Sequence, residues 1–466
     1  MQNSTRHGAS RRAWLLPAGL AVLALVVRLP MFFSPRHVLF DDGVYGVTVL
    51  MMRHGARPFH DVFSPQGPLH LPILYVGDLL GLRTLNAPRV APVVAGVVAT
   101  LAVWAAGRRL GGTRYGAALG AGLVATSGTM LWTTGPITGD GIAAALAAVA
   151  AWAALTYRDR PALARAVATG LAMGAALTVK ALVLPVALPV AWWLWSARRV
   201  RDLVVAVASA VVLGLVVTLP WGFGPVWDQS VKYHQQSSLY GPGDQLHKLV
   251  TTLISRDLPL LVAVALGVVA AALAHRRQVD GDTLAVLAWL GAGALVLVFE
   301  PAMFRNHIAS IIPPLGLLVA MRPPPPRWAI VAAIFVVPWW GAHLTDVLWA
   351  RDYRGDEAAL MAEIRALPPG ARIITDEPGF AYRAGRLVPP NLNDASIQRI
   401  DEGMITPDTI IDAAQQADVC GVAIWSNRYG RALPGLQDRL RDAGYEEAAT
   451  FGGVRSWWVK PDCTPE

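Results

Sequence analysis

Two adjacent carboxylates, Asp41 and Asp42, stand just past the first apolar stretch of this chain, and a third, Asp140, opens a later one. Charge held beside hydrocarbon is costly, so ionisable residues there usually serve a purpose. The segment from Phe40 to His70 is polar and rich in His, Arg and Pro, and it carries Arg57 and His60. Further cations follow: Lys180 between two apolar runs with almost no loop, Lys232 and His234 among the aromatics Trp227 and Tyr233, and Arg305 and His307 ahead of Pro313-Pro314. A carboxylate can take the proton of an acceptor hydroxyl while cations hold a departing phosphate. Plainer roles compete at each position. Asp41, Asp42 and Asp140 could cap helices, lysines near a membrane face snorkel, and loop aromatics anchor at the interface. Asp41, Asp42 and Asp140 with His54 or His60 could make a hard, oxygen-rich metal site. No tight ligand spacing argues for one, and no metal or other cofactor is expected. There is no Walker loop, no G-x-G-x-x-G after a strand, no CxxC, no HExxH and no nucleophile elbow. The chemistry must therefore use something that reaches the site from the membrane or its outer face, and no nucleic-acid partner is expected.

The elements that hold these residues are mostly apolar. The 466 residues are only 15% charged and have a mean hydropathy of +0.43. Apolar runs of about 18–20 residues, each long enough to cross a bilayer, recur along the chain. The composition is that of a mainly α, polytopic membrane protein. Roughly eleven spans are expected, near 13–33, 88–107, 116–135, 140–157, 164–180, 182–197, 203–221, 258–274, 283–299, 306–320 and 327–345. The first follows Arg6, Arg11 and Arg12 and lacks a small-x-small cleavage site, so it reads as an uncleaved span. Alternate connections are short and Arg-rich, as at Arg108, Arg109 and Arg114 or at Arg198, Arg199 and Arg201. The positive-inside rule makes those cytoplasmic together with the N-terminus. The long loops at about 34–87 and 222–257 then lie outside, with the C-terminal tail and all four lysines.

After about residue 345 the composition changes. Residues 1–345 hold 27 basic and 13 acidic residues (net +14), whereas 346–466 hold 13 and 19 (net −6). The tail reads as alternating elements: helices near 358–366, 409–417 and 436–443, and strands near 372–376, 419–425, 448–451 and 454–459. The expected organisation is a membrane module over 1–345 and a small extracytoplasmic α/β domain over 346–466. The only cysteines, Cys420 and Cys463, flank the two clearest strands. An outer compartment permits them to pair.

The order of these motifs resembles the GT-C membrane glycosyltransferases, and most closely the branch of protein O-mannosyltransferases and aminoarabinose transferases. Phe40-Asp41-Asp42-Gly43-Val44-Tyr45, the run from His54 to Phe63, and Gly67-Pro68-Leu69 are similar to that branch's first outer loop. Asp140 after Pro136 and Gly139 matches an acidic residue of its second outer loop. Gly170-Leu171-Ala172-Met173-Gly174 with Lys180 is similar to its fifth span. Phe304-Arg305-Asn306-His307 before Pro313-Pro314 is similar to a late basic-aromatic segment. Gln66 stands where the family often has Lys. The resemblance implies inverting transfer of a sugar from a polyprenyl-phosphate donor to a hydroxyl of a glycan, lipid or protein at the outer face. It also implies a metal-free mechanism. Asp41 is then the base, with Asp42 and Asp140 beside it. Lys180, Arg305, His307, Arg57, His60, Lys232 and His234 become candidates for the donor phosphate. A transporter or lipid flippase would keep its charges near the midplane on paired broken helices. A non-catalytic envelope assembly protein would need far fewer spans.

Overall fold

The computed structural model describes residues 4–36, 39–236, 240–274, 279–348 and 355–463. Helices dominate. Six among the described residues are long and apolar enough to cross a membrane: Trp14–Phe33, Ala87–Arg109, Asp140–Asp159, Val200–Trp221, Pro242–Leu273 and Gly281–Phe299. The other expected spans are present as helices but mostly short or interrupted. The stretch near 116–135 divides at Ser127 into Arg114–Thr126 and Gly128–Thr134. Leu163–Val179 stops at Lys180, and its successor starts with the 3-10 turns Ala181–Val186, where Pro185 removes a backbone donor. The Pro242–Leu273 helix begins sixteen residues before the expected start of its span and kinks at Asp257, two residues ahead of Pro259.

The long connection after the first span is more regular than its composition suggests. It holds two helices, Phe40–Arg53 and His70–Leu80. The second, with Pro72 in its first turn, has no counterpart among the expected spans. Asp41 and Asp42 occupy the first turn of Phe40–Arg53, whose N-cap is Leu39, so neither caps the helix. Asp140 is likewise the first residue of its helix, with Gly139 at the cap position.

The tail forms a four-stranded sheet. Its strands are β1 (Arg372–Thr375), β2 (Val419–Ile424), β3 (Glu446–Thr450) and β4 (Ser456–Val459), in the order β1-β2-β4-β3. β1 and β2 are parallel, and the other pairings are antiparallel. β2 is buried throughout, as its unbroken apolar run requires. Cys420 and Cys463 are joined in a disulfide, with Cα atoms 5.3 Å apart.

The sheet unit sits directly on the helix bearing the acidic pair. Pro378–Ala384, just after β1, packs along Phe40–Arg53. Gly43 lies against the backbone of Gly379 and Gly46 against the ring of Tyr382, so closely that a Cβ at either position would overlap. The two elements can approach this far only because both positions are glycine. Asn393 ties the same surfaces together: it donates to Thr48 Oγ1 (2.9 Å) and to the Phe63 carbonyl (2.9 Å), and accepts from the Phe63 N–H (3.0 Å).

Candidate active site

Asp41 and Asp42 are neighbours in sequence but face different surroundings. Asp42 is fully buried and saturated. It accepts from Arg89 Nε (3.1 Å) and from the Ile137 N–H (2.9 Å), pairs with Arg89 Nη2, and has Arg383 Nη2 at 3.7 Å. Arg89 also donates to the carbonyls of Met31 (2.7 Å) and Ser34 (2.8 Å). It therefore ties the end of the first span to the acidic helix. The guanidinium of Arg89 holds the Asp42 carboxyl down at about 2 despite the opposing effect of burial.

Asp41 faces a cavity of about 370 Å³ instead. Asn306 Nδ2 donates to its Oδ2 at 3.2 Å. This helix lies in the connection after the first span and is not itself a span. Burial raises the Asp41 carboxyl to about 6, helped by the Asp140 carboxylate and opposed by Lys180 and the Asn306 hydrogen bond. Of the two carboxylates, Asp41 is therefore the one able to exchange a proton near neutral pH.

Across the cavity stands Lys180, buried, with Nζ 2.8 Å from Asp140 Oδ1. Its backbone surroundings explain how it is placed. Gly67 N–H donates to the Val179 carbonyl (3.1 Å) and Leu69 N–H to the Thr178 carbonyl (3.0 Å). The Gly67-Pro68-Leu69 turn is thus clamped to the end of Leu163–Val179. A side chain at Gly67 would run into the Thr178 carbonyl. That clamp brings Gln66 beside Lys180.

A second, larger hollow of about 610 Å³ starts at the same place. Its wall is mainly apolar, from Leu177, Leu182, Val211, Leu215, Phe223 and Val296. Pro65, Gln66, Lys180 and His234 line both hollows. The site is therefore a chamber ringed by charged and hydrogen-bonding side chains, Asp41 among them, joined at a lysine to a groove walled by apolar ones.

The remaining expected residues divide between the site and its surroundings. Arg305, His307 and His234 line the chamber. His307 Nδ1 lies 2.9 Å from Glu300 Oε2. His234 Nε2 lies 2.8 Å from the Pro65 carbonyl, and burial lowers its pKa to about 4, so it meets a ligand as a neutral ring. Arg57 instead pairs with Asp61 on the surface, and His60 reaches the Trp221 carbonyl (3.1 Å). Lys232 is exposed. Neither Arg57, His60 nor Lys232 lines either hollow. Asp42 and Asp140 stand behind the chamber wall, each holding a cation. Among the described residues, no three His, Cys, Asp or Glu side chains are arranged to hold a metal ion.

Sequence reasoning missed the residues that complete the chamber. The tail supplies Asp394, Ser396, Gln398 and Arg428. Burial raises the Asp394 carboxyl, with Arg399 opposing. Arg428 is paired with Glu377 and lies 4.1 Å over the ring of Phe40. The bundle adds Arg256 and Asn306, which join Gln66, already marked in the sequence as standing where the family often has Lys. Only the nearness of Asn306 to Arg305 and His307 left a trace in the sequence.

With this geometry in view, comparison with known proteins identifies the fold. Residues 67–223 match the family model described as dolichyl-phosphate-mannose-protein mannosyltransferase. No curated protein sequence matches the chain. The fold is that of the GT-C membrane glycosyltransferases.

Among solved structures, the chain is similar to ArnT from Cupriavidus metallidurans, both in the apo state and bound to undecaprenyl phosphate. Identities are 16% and 17% and TM-scores 0.63 and 0.65; each match covers 98% of this chain, with 99% and 100% of the other. It is also similar to the Archaeoglobus fulgidus oligosaccharyltransferase in complex with Zn and sulfate, at 13% identity and a TM-score of 0.56, covering 95% of this chain and 73% of that one.

Proposed function

We propose that the chain is an integral-membrane, inverting glycosyltransferase that moves a sugar from a polyprenyl-phosphate donor to a hydroxyl of an envelope glycan, lipid or protein. The observation that carries this reading is the junction at Lys180, where a chamber holding Asp41 meets an apolar groove. A lipid-linked sugar has the same two parts joined by a phosphate. The isoprenoid enters the groove between Leu177, Val211, Leu215 and Val296, the phosphate rests at Lys180, and the sugar lies in the chamber. His307, whose Nδ1 is held at Glu300, turns its Nε2 to the phosphate, while His234, its Nε2 spent on the Pro65 carbonyl, packs beside it. Asp41 takes the acceptor proton as the hydroxyl oxygen attacks the anomeric carbon, and the polyprenyl phosphate leaves from the opposite face. The ArnT structure bound to undecaprenyl phosphate supports a donor of this chemistry.

A photoreactive undecaprenyl phosphate tests the groove. It is expected to crosslink within Leu177–Leu182 and Val211–Leu215, and Val211→Trp should cut that labelling about tenfold, which corresponds to about 1.4 kcal/mol of lost binding. Labelling spread evenly over the lipid-facing helices would remove the groove from the account.

The reading places residues 346–466 as an α/β unit at the outer face over a membrane module of 1–345, with the N-terminus cytoplasmic. An impermeant thiol reagent added outside intact cells should modify Gln415→Cys in the tail and leave Arg199→Cys untouched, both positions being exposed. Labelling of Arg199→Cys but not Gln415→Cys would invert the topology.

A further inference from the structure

The chamber has a cationic wall that the donor reading does not use. Arg256, one residue before the kink in Pro242–Leu273, and Arg305, at the start of the 3-10 turn Arg305–Ile311, both line it. They lie close enough to repel each other, and Arg305 also lies in the field of Lys248. Lys248 itself is engaged, donating to the Met303 carbonyl (2.8 Å).

Asp257 lies in the field of Arg256, but no salt bridge engages either arginine among the described residues. Nη1 of Arg256 is buried without a hydrogen-bond partner. The adjacent Asp257 is spent on the hydroxyls of Ser127 and Thr129, both at 2.5 Å. Arg256 has only the face of Trp132, 5.5 Å away. The unpaired buried Nη1–H of Arg256 is costly, and with the exposed guanidinium of Arg305 on the same wall it suits the oxygens of a phosphate or carboxylate.

That anion is not the donor's phosphate. The apolar groove reaches Lys180, Gln66 and His234, and neither arginine lines it. A lipid-linked phosphate seated at the mouth of the groove meets Lys180, leaving the arginines to the part of the chamber beyond it. Arg305, expected from sequence at the donor phosphate, belongs on this second wall.

We propose that Arg256 and Arg305 form a second anion subsite, separate from Lys180, which binds a phosphate or carboxylate group of the acceptor. The inference rests on the donor reading above and deepens it: the acceptor is an anionic glycan or lipid, oriented by its charge so that its hydroxyl meets Asp41.

The test uses the full chain in detergent, saturated with undecaprenyl phosphate, with inorganic phosphate as the probe and chloride at equal ionic strength as the control. Phosphate should raise the unfolding temperature of the loaded protein in a saturable way. Arg305→Gln and Arg256→Gln should each weaken its apparent Kd about tenfold or more, since each removes a charge-assisted hydrogen-bonding fork. Arg256→Lys, which keeps the charge within the bundle, guards against a folding defect and should weaken it less. Arg57→Gln, which removes a guanidinium that lines neither hollow, should leave the phosphate Kd unchanged. The proposal is overturned if phosphate has no specific effect, or if the Gln variants bind it as the parent does. It is also overturned if undecaprenyl phosphate displaces it, which would return the arginines to the donor. Failure of undecaprenyl phosphate itself to stabilise the parent chain would count against the donor reading alone.

Discussion

Asp41→Asn is expected to lower the rate of sugar transfer about 10²–10⁴-fold, the usual worth of a positioned general base, with little change in folded yield. The amide keeps the size of the side chain and can still accept from Asn306. The contrast is Asp42→Asn, which leaves the base in place but weakens the buried pair with Arg89. Its loss should show mainly in yield and thermal stability, with a smaller fall in rate. The pH profile separates the two further. A carboxylate acts as a base only when ionised, and Asp41 is raised to about 6. The donor-saturated rate of the parent should therefore climb with pH through about 6 and flatten above it, while the residual rate of Asp41→Asn should not follow that curve. Steady-state assays with saturating polyprenyl-phosphate sugar measure both. A parent-like rate in Asp41→Asn would remove it as the base.

Lys180→Ala has the second largest expected effect, and it acts in two ways. Lys180 pairs with Asp140 and also lines the chamber and the groove. Truncating it leaves the Asp140 carboxylate buried and unpaired, a loss of about 3–5 kcal/mol in typical cases. It also removes the cation at the donor phosphate, so the donor KM should rise at least about tenfold, or about 1.4 kcal/mol. The double variant Lys180→Ala with Asp140→Asn should recover folded yield, because the stranded charge is gone, without recovering the donor KM. Full recovery of both would make Lys180 purely an ion-pair partner of Asp140. Unchanged yield and KM in the single variant would remove both roles.

The membrane character and the helical outline were legible from hydropathy, because apolar runs in lipid have few alternatives to helix. Asp41 was legible because an acidic pair beside a span is rare and costly. The division of labour within that pair was not. It depends on Arg89, 47 residues on, which reaches Asp42 and leaves Asp41 to face the chamber. The tail's strands could be read from their short apolar runs between helix-like segments, but its contribution to the chamber could not. Asp394 sits in a loop and Arg428 in the short helix Asn427–Gly430, neither with a telling composition, and what brings them in is the glycine contact of Gly43 with Gly379. Arg57 and His60 looked as suitable as Arg305 by residue type. They differ only in facing Asp61 and Trp221 and not the chamber, a matter of side-chain direction. The helix His70–Leu80 escaped notice because Pro72 falls in its first turn, where proline is tolerated, yet reads in a sequence as an interruption.

The central claim is that the Asp41 chamber and the groove at Lys180 together transfer a lipid-linked sugar. The most direct measurement compares, by mass spectrometry, the envelope glycolipids and glycoproteins of cells that carry the parent gene, the Asp41→Asn gene or a deletion. The account predicts that one sugar disappears from the same product in the Asp41→Asn and deletion cells, with the substituted protein present in the membrane at parental level. Identical glycans in all three, above all with altered solute uptake in the deletion, would contradict it.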